Sequence, residues 1–345
     1  VKRTIGIVAS VAVAAAVAGG IAVVPAQAAG SDIVIGVEAP MTGSQANNGQ
    51  DMLRGVKLAV DQVNKAGGVL GRKVRIVVLD DQANPNLADD MVTKAKKAGA
   101  VAVVGPYNSS VGVVNLPLYL KAHIVPVQMT STNDTDGMGV TVQPKNSQIS
   151  PVESDYVLST GAKTVSMLVD PSTYTQGMAD RLATALRAKG VTVTSTPITE
   201  GQPSYATQVA QALSTKPDLV YVSTYYPEGS TIAENLAAAA STSSCLMGLA
   251  NVDATFVTTT GVATAQKCRF SGLPEAAQMP GARAKKYVAD YTKAFGVKPG
   301  VWGIFTYDSA NLLFTAIAHN ESTAYSPVLK TLKHATNVPG ATGPI

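Results

Sequence analysis

From Ile33 onward the apolar positions follow two alternating patterns. Ile33-Val-Ile-Gly-Val37 and Val74-Arg-Ile-Val-Val-Leu79 are Val/Ile-rich runs bounded by turn residues, the pattern of parallel strands buried on both faces. Between them Met52, Leu53, Val56, Ala59, Val60 and Val63 recur at helical spacing and form one apolar stripe. Gly67-Gly68 and Gly71 stop this helix and turn the chain into the second strand. The alternation continues, with strands expected at Val101–Gly105, Ile124–Val127, Thr164–Val169, Val191–Thr194 and Leu219–Ser223. Helices are expected at Ser109–Ala122, despite Pro117, and at Gly177–Lys189, Ser204–Ser214 and Glu228–Ala240. This regularity predicts an α/β fold whose parallel sheets carry helices on both faces. The polar loop Met41–Asn48 falls at the carboxyl end of the first strand, where open α/β sheets bind ligands.

Two segments break the alternation: Gln143-Pro-Lys-Asn-Ser-Gln148, and Gly272–Gly281 with Pro274 and Pro280. Charged residues at 14% and hydrophobic ones at 46% describe a packed globular chain, and its length favours two domains. Ahead of the alternation, Lys2-Arg3, the apolar run Ile5–Val24 and Ala26-Gln-Ala28 read as a signal peptide cleaved after Ala28. A membrane anchor is the alternative, since the run is almost long enough to span a bilayer. Cysteine is absent near that cleavage site, so no lipid-anchored form is expected. Loss of Lys2 and Arg3 takes the formal charge from +4 to +2, too little to imply nucleic acid or an anionic membrane as partner. The two cysteines, Cys245 and Cys268, each precede a short apolar run. Export makes a disulfide between them the better reading, with two buried free thiols as the alternative.

Several segments taken in order resemble a known family: the Pro40–Ser44 loop, the helix ending at Gly67-Gly68, Asp80-Asp-Gln-Ala-Asn-Pro85, Gly105-Pro-Tyr-Asn-Ser-Ser110, Tyr221–Glu228 and Trp302–Asp308. Together they look like the type I periplasmic solute-binding proteins of ABC transporters, in particular the branched-chain amino-acid (Leu/Ile/Val) binding proteins. The resemblance implies two Rossmann-like lobes joined by a hinge. One would combine residues 29–143 with 280–345, the other would span 147–276, and a ligand would be held between them. It further implies permease subunits as partners, no cofactor, and a family sequence that continues beyond Gly340-Ala-Thr-Gly-Pro-Ile345.

Asn108-Ser109-Ser110 follows a buried strand and opens a helix, where free backbone N–H groups form an anion site. Plain helix capping is the alternative. The resemblance favours Ser109 as a carboxylate ligand, with Tyr107 and Asn108 beside it. Thr130 and Thr132 lie after the Ile124–Val127 strand; relatives often have Ala at the position of Thr130 and make contact there through backbone. Tyr174 and Tyr225 would reach the cleft from the second lobe, amphipathic enough to cover an apolar ligand and bond its polar end. Tyr226 reads better as core packing. Trp302 reads equally well as core or as pocket wall. Asn47 and Asn48 stand where relatives carry an aromatic, which makes the pocket mouth more polar.

One departure from the family concerns the ligand's ammonium group. Relatives place an acid in the loop after the Leu246–Leu249 run; here Ala250 and Asn251 occupy the nearest positions, and Asp253 is the closest acid. A buried amine without a negative partner is costly. The motif set as a whole points to an amino acid, and the missing acid to an amine-free acid or an amide. No G-x-G-x-x-G after a strand, Walker loop, G-x-S-x-G elbow or metal-spaced His pair occurs, so the sequence offers a clamp and no reactive group. A transport receptor and a ligand sensor on the same fold both remain; the signal peptide favours transport.

Overall fold

The structure is a computed structural model and describes residues 31–345; the signal-peptide reading lies outside them. The first lobe is built on a parallel sheet of order β2-β1-β3-β4, formed by β1 (Ile33–Ala39), β2 (Val74–Asp80), β3 (Ala100–Val104) and β4 (Val125–Val127). Helices α1 (Ala46–Lys65), α2 (Ala88–Lys97) and α3 (Ser109–Lys121) connect these strands. The chain then enters α4 (Asn146–Ser159) and a second parallel sheet of order β6-β5-β7-β8-β9. Its strands are β5 (Thr164–Val169), β6 (Thr192–Pro197), β7 (Leu219–Ser223), β8 (Ser244–Met247) and β9 (Cys268–Phe270). Helices α5 (Thr173–Arg187), α6 (Ala206–Leu213), α7 (Tyr226–Ala238) and the short α8 (Phe256–Thr260) and α9 (Val262–Ala265) link them. Helices α10 (Ala282–Phe295), α11 (Gly303–His319) and α12 (Tyr325–Lys333) return to the first lobe.

The apolar stripe of α1 packs on α11 at close range. A Cβ at Gly55 would collide with the Gly303 carbonyl oxygen, so glycine sets the distance between these helices. β1 is buried along its whole length, and its odd positions from Ile33 to Val37 join the core shared with α1 and α11. The two neighbouring acids that end β2 face opposite ways. Asp80 accepts from Met41 N–H (2.9 Å) and from the Thr42 hydroxyl (2.6 Å), which fixes the loop after β1.

Asp81 is fully buried on the other side of the sheet, near Glu38. Asn115 donates to one Glu38 oxygen; the second oxygen of each acid has no partner among the described residues. Burial, reinforced by Asp81, pushes the Glu38 carboxyl well above its usual range, and burial pushes Asp81 up to about 7. With both pKa values raised on folding, the native state takes up protons that the unfolded chain releases. The stability these acids contribute is therefore full below the unfolded carboxyl range, about pH 4, and is lost as pH rises toward 7 and above. Glu38→Gln keeps an acceptor for Asn115 and removes the charge. We expect it to raise the melting temperature at pH 8 and to flatten the decline between pH 4 and 7, which thermal unfolding scans across that range check.

In the second lobe Cys245 and Cys268 face each other across the parallel β8–β9 pair and form a disulfide. Their separation of 23 residues gives about 3 kcal/mol in the chain-entropy account. Reduction is expected to lower the melting temperature of the second lobe, and a scan with and without dithiothreitol measures the drop. α5 starts at Thr173, ahead of the Gly177 expected from the apolar pattern, because the Ser172 hydroxyl accepts from Thr175 N–H and caps an earlier turn.

Candidate functional site

The carboxyl ends of both sheets meet across a narrow cavity walled by Tyr107, Ser109, Met129, Ser131, Tyr174, Tyr225, Leu249, Ala250 and Trp302. On the first lobe, α3 begins after Asn108, whose extended backbone (ψ 132°) aims the first turn's N–H groups at this space. The Asn108 amide donates to Gln45 Oε1 (2.8 Å), which ties the start of α3 to the loop after β1. Ser109 Oγ accepts from Thr132 N–H (3.2 Å) and so joins α3 to the segment leaving β4. That segment is extended, so its side chains alternate. Met129 and Ser131 turn to the cavity, while the Thr130 hydroxyl turns away to Gln128 and Thr135. The same network receives Lys145, which donates to Thr132 O (3.0 Å) and Thr135 Oγ1 (2.8 Å) and holds the loop from behind.

Trp302 enters from the turn before α11, where Asp51 of α1 holds its N–H (3.0 Å). Its ring meets Tyr107 edge to face at 5.3 Å, and Tyr107 in turn meets Tyr225 of the opposite lobe at 6.3 Å. Asn48 donates to the Tyr107 hydroxyl at 3.5 Å and stays buried beside the wall. Tyr174 and Tyr225 come from the starts of α5 and α7, with ring centres 6.1 Å apart. Asp170, at the end of β5, accepts from Tyr225 N–H (3.2 Å) and Ser172 N–H (2.9 Å), so one carboxylate sets both tyrosine-bearing turns.

The lobes also touch outside the cavity. Thr173 N–H donates to Ser110 Oγ (2.9 Å), and the Tyr226 hydroxyl donates to Ser44 O (2.6 Å). Tyr226 is buried, as expected, and its hydroxyl also latches the lobes together. Tyr226→Phe removes one hydrogen bond of about 1 kcal/mol made only when the lobes are shut. Ligand release is expected to quicken roughly fivefold with little change in melting temperature, as stopped-flow dissociation would show.

The expected site residues divide. Ser109, Tyr107, Tyr174, Tyr225 and Trp302 wall the cavity, and Asn108 and Asn48 support it. Thr130 is turned away, and Thr132 reaches the site through its backbone only, because its hydroxyl bonds Asp134. Asn251 does not reach the cavity. Its amide donates to the carbonyls of Val222 (3.2 Å), Thr224 (3.0 Å) and Gly248 (3.2 Å), and its oxygen packs on Gly229, where no Cβ would fit. Asp253 is likewise occupied, accepting from Thr255 N–H (2.8 Å) and the Thr255 hydroxyl. Met129, Ser131 and Leu249 were not among the expected ligand contacts, while Ala250 stands at one of the positions where relatives carry an acid. Strand alternation from Val127 onward would have placed Met129 and Ser131 on one face; Leu249 carries no such signal.

Among the described residues, the cavity wall carries no charged side chain. Burial holds the Tyr107, Tyr174 and Tyr225 phenols far above their usual pKa, so all three keep their protons and can donate. The Tyr174 hydroxyl is buried without a hydrogen-bond partner among the described residues. Buried polar groups are normally paired, so this hydroxyl marks a place where a bound oxygen would be satisfied.

Two parallel α/β lobes closed over an uncharged aromatic cavity, with a helix start and hydroxyls on its floor, define a ligand-binding clamp of the type I periplasmic-binding-protein fold. The chain belongs to the periplasmic binding protein family, whose model matches residues 32–345. A "Leu/Ile/Val-binding protein BraC3" of Rhizobium johnstonii is 29% identical over 91% of this chain and 87% of its own length. An "amino acid binding protein" of Pseudomonas aeruginosa is 27% identical over 86% and 80%. Among solved structures, the leucine-binding protein LivK of Thermotoga maritima shares the fold with a TM-score of 0.84 at 22% identity, covering 91% of this chain and 90% of its own. LivJ of Streptococcus pneumoniae in complex with isoleucine gives 0.81 at 22%, with 91% of each chain covered. A Rhodopseudomonas palustris solute-binding protein in complex with 3,4-dihydroxybenzoic acid gives 0.77 at 21%, covering 91% and 88%.

Proposed function

We propose that the protein captures one small carboxylate-bearing solute between its lobes and presents it to the permease subunits of an ABC transporter. The cavity is the observation that carries this reading: the Ser109 helix start and the Ser131 hydroxyl face Tyr174 and Tyr225 across the narrow gap between the shut lobes, which must part to admit a ligand. The ligands of two solved relatives, isoleucine and 3,4-dihydroxybenzoic acid, are chemically unlike except for a carboxylate on a small apolar body. A helix N-terminus suits the carboxylate, and the tyrosines, Trp302, Met129 and Leu249 suit the body.

Capture follows from the geometry. The solute docks first on the preformed floor of the first lobe, because Ser109 and the segment after β4 are already bonded to one another. Contacts of the second lobe, through Tyr174 and Tyr225, exist only when the lobes shut. The ligand therefore binds the shut form better and shifts the population toward it. Family membership fits an exported receptor, and a clamp of this kind performs no chemistry on its cargo. Uptake of the bound solute should fall in cells lacking the protein and return with the wild type but not with Ser109→Ala. Uptake that is unchanged, with binding intact, would replace the transport role with sensing.

A further inference from the structure

The cavity wall offers N–H and O–H donors for a carboxylate and, among the described residues, no anionic side chain for an ammonium group. We propose that its solute is an amine-free organic acid, a carboxylate on a branched or aromatic apolar body. This rests on the solute-capture reading above and narrows it. An ammonium group brings three donors and a full charge, and leaving water it needs acceptors, at least one of them anionic. The side-chain polar groups on the wall are the neutral hydroxyls of serine and tyrosine and the Trp302 indole N–H, and the first-turn N–H groups of α3 lie at the cavity's edge beside Ser109. Those groups match carboxylate oxygens.

The acids nearest the cavity are committed or screened. Asp170 is filled by Ser172 N–H, Tyr225 N–H and the Thr175 hydroxyl. Asp253 gives one oxygen to Thr255 and does not line the cavity. Glu153 accepts from the Tyr221 hydroxyl (2.8 Å) at one oxygen, keeps the other buried without a partner among the described residues, and lines a separate depression shared with Leu249. Burial raises its carboxyl to about 7, so much of it is neutral near neutral pH. Asn251, in the loop after β8, is locked by three carbonyls and by Thr224, and the one unpartnered amide oxygen beside the site, that of Asn108, is neutral. The aromatic rings cannot stand in for an acid. Tyr107 spends its ring against Trp302 and Tyr225, and cation–π attraction falls short of the cost of dehydrating an ammonium.

Matched pairs titrated calorimetrically into the exported chain test this: leucine against 4-methylpentanoate and 4-methyl-2-oxopentanoate, and phenylalanine against 3-phenylpropanoate and benzoate. At least one amine-free acid should bind, and at least about tenfold more tightly than its amino-acid counterpart. Tighter binding of either amino acid would overturn the proposal; if Ser109→Ala weakens that binding, the capture reading survives alone. Failure of every carboxylate to bind would overturn both. Ala250→Glu places an acid on the wall, and should reverse the order by weakening the amine-free acid at least tenfold and admitting leucine. An unchanged order in a folded Ala250→Glu protein would count against the proposal.

Discussion

Asp51→Ala is expected to destabilise the protein by about 3–5 kcal/mol, the largest effect of any single substitution considered. Asp51 is a buried carboxylate on α1 that accepts from the Tyr291 hydroxyl (2.8 Å) and from the N–H groups of Gly300 (2.9 Å), Trp302 (3.0 Å) and Gly303 (2.6 Å). Burial raises its pKa despite these four donors. Alanine would leave all four without an acceptor and would free the start of α11 from α1. Ligand affinity should fall as well, because Trp302 hangs from the same carboxylate. Asp51→Asn should cost less than alanine but still destabilise, since its amide nitrogen must face N–H donors. Urea unfolding of the three proteins gives the order directly. Stabilities within 1 kcal/mol of one another would show that the network contributes little.

Ser109→Ala is expected to weaken ligand binding roughly ten- to a hundredfold, from the loss of about 1.5–3 kcal/mol of hydrogen bonding to a charged group. The hydroxyl sits where the helix start, Thr132 N–H and the cavity converge. Its removal also leaves Thr132 N–H without an acceptor, so a small stability loss will accompany the affinity loss. Tyr225→Ala removes a wall from the opposite lobe and should produce a comparable loss without touching Thr132. Calorimetry on both variants separates the clamp from a local defect at α3: a clamp requires both to fail.

The strands and the helices that carry the site were legible because their apolar periodicity is clean. The helices α2, α4, α10 and α12, the short α8 and α9, and most of α11 were not read. α4 contains Pro151 and mixes polar with apolar positions on both faces, while α11 is apolar nearly all round, so neither shows a one-sided stripe. At the site, Ser109, Tyr174 and Tyr225 could be placed because each follows a strand whose end was visible, whereas Trp302 rested on the family resemblance alone. Thr130 failed for a reason of parity, since in an extended segment the neighbour Ser131 faces the other way. Asn251 failed because a polar residue in a ligand loop can spend all its groups on its own backbone surroundings. Only coordinates show that its amide is bound by three carbonyls.

The central claim is that one carboxylate closes the two lobes over a pocket walled by Trp302, the chain's only tryptophan. Its fluorescence therefore reports on that pocket alone. Titration of the exported chain with a panel of small carboxylates, read at Trp302 and repeated with Ser109→Ala, is the most direct test. The account predicts a saturable change at one site for the wild type, shifted at least tenfold to higher concentration in the variant. A non-carboxylate solute that saturates the same signal equally in both proteins, with no response to any carboxylate, would contradict it.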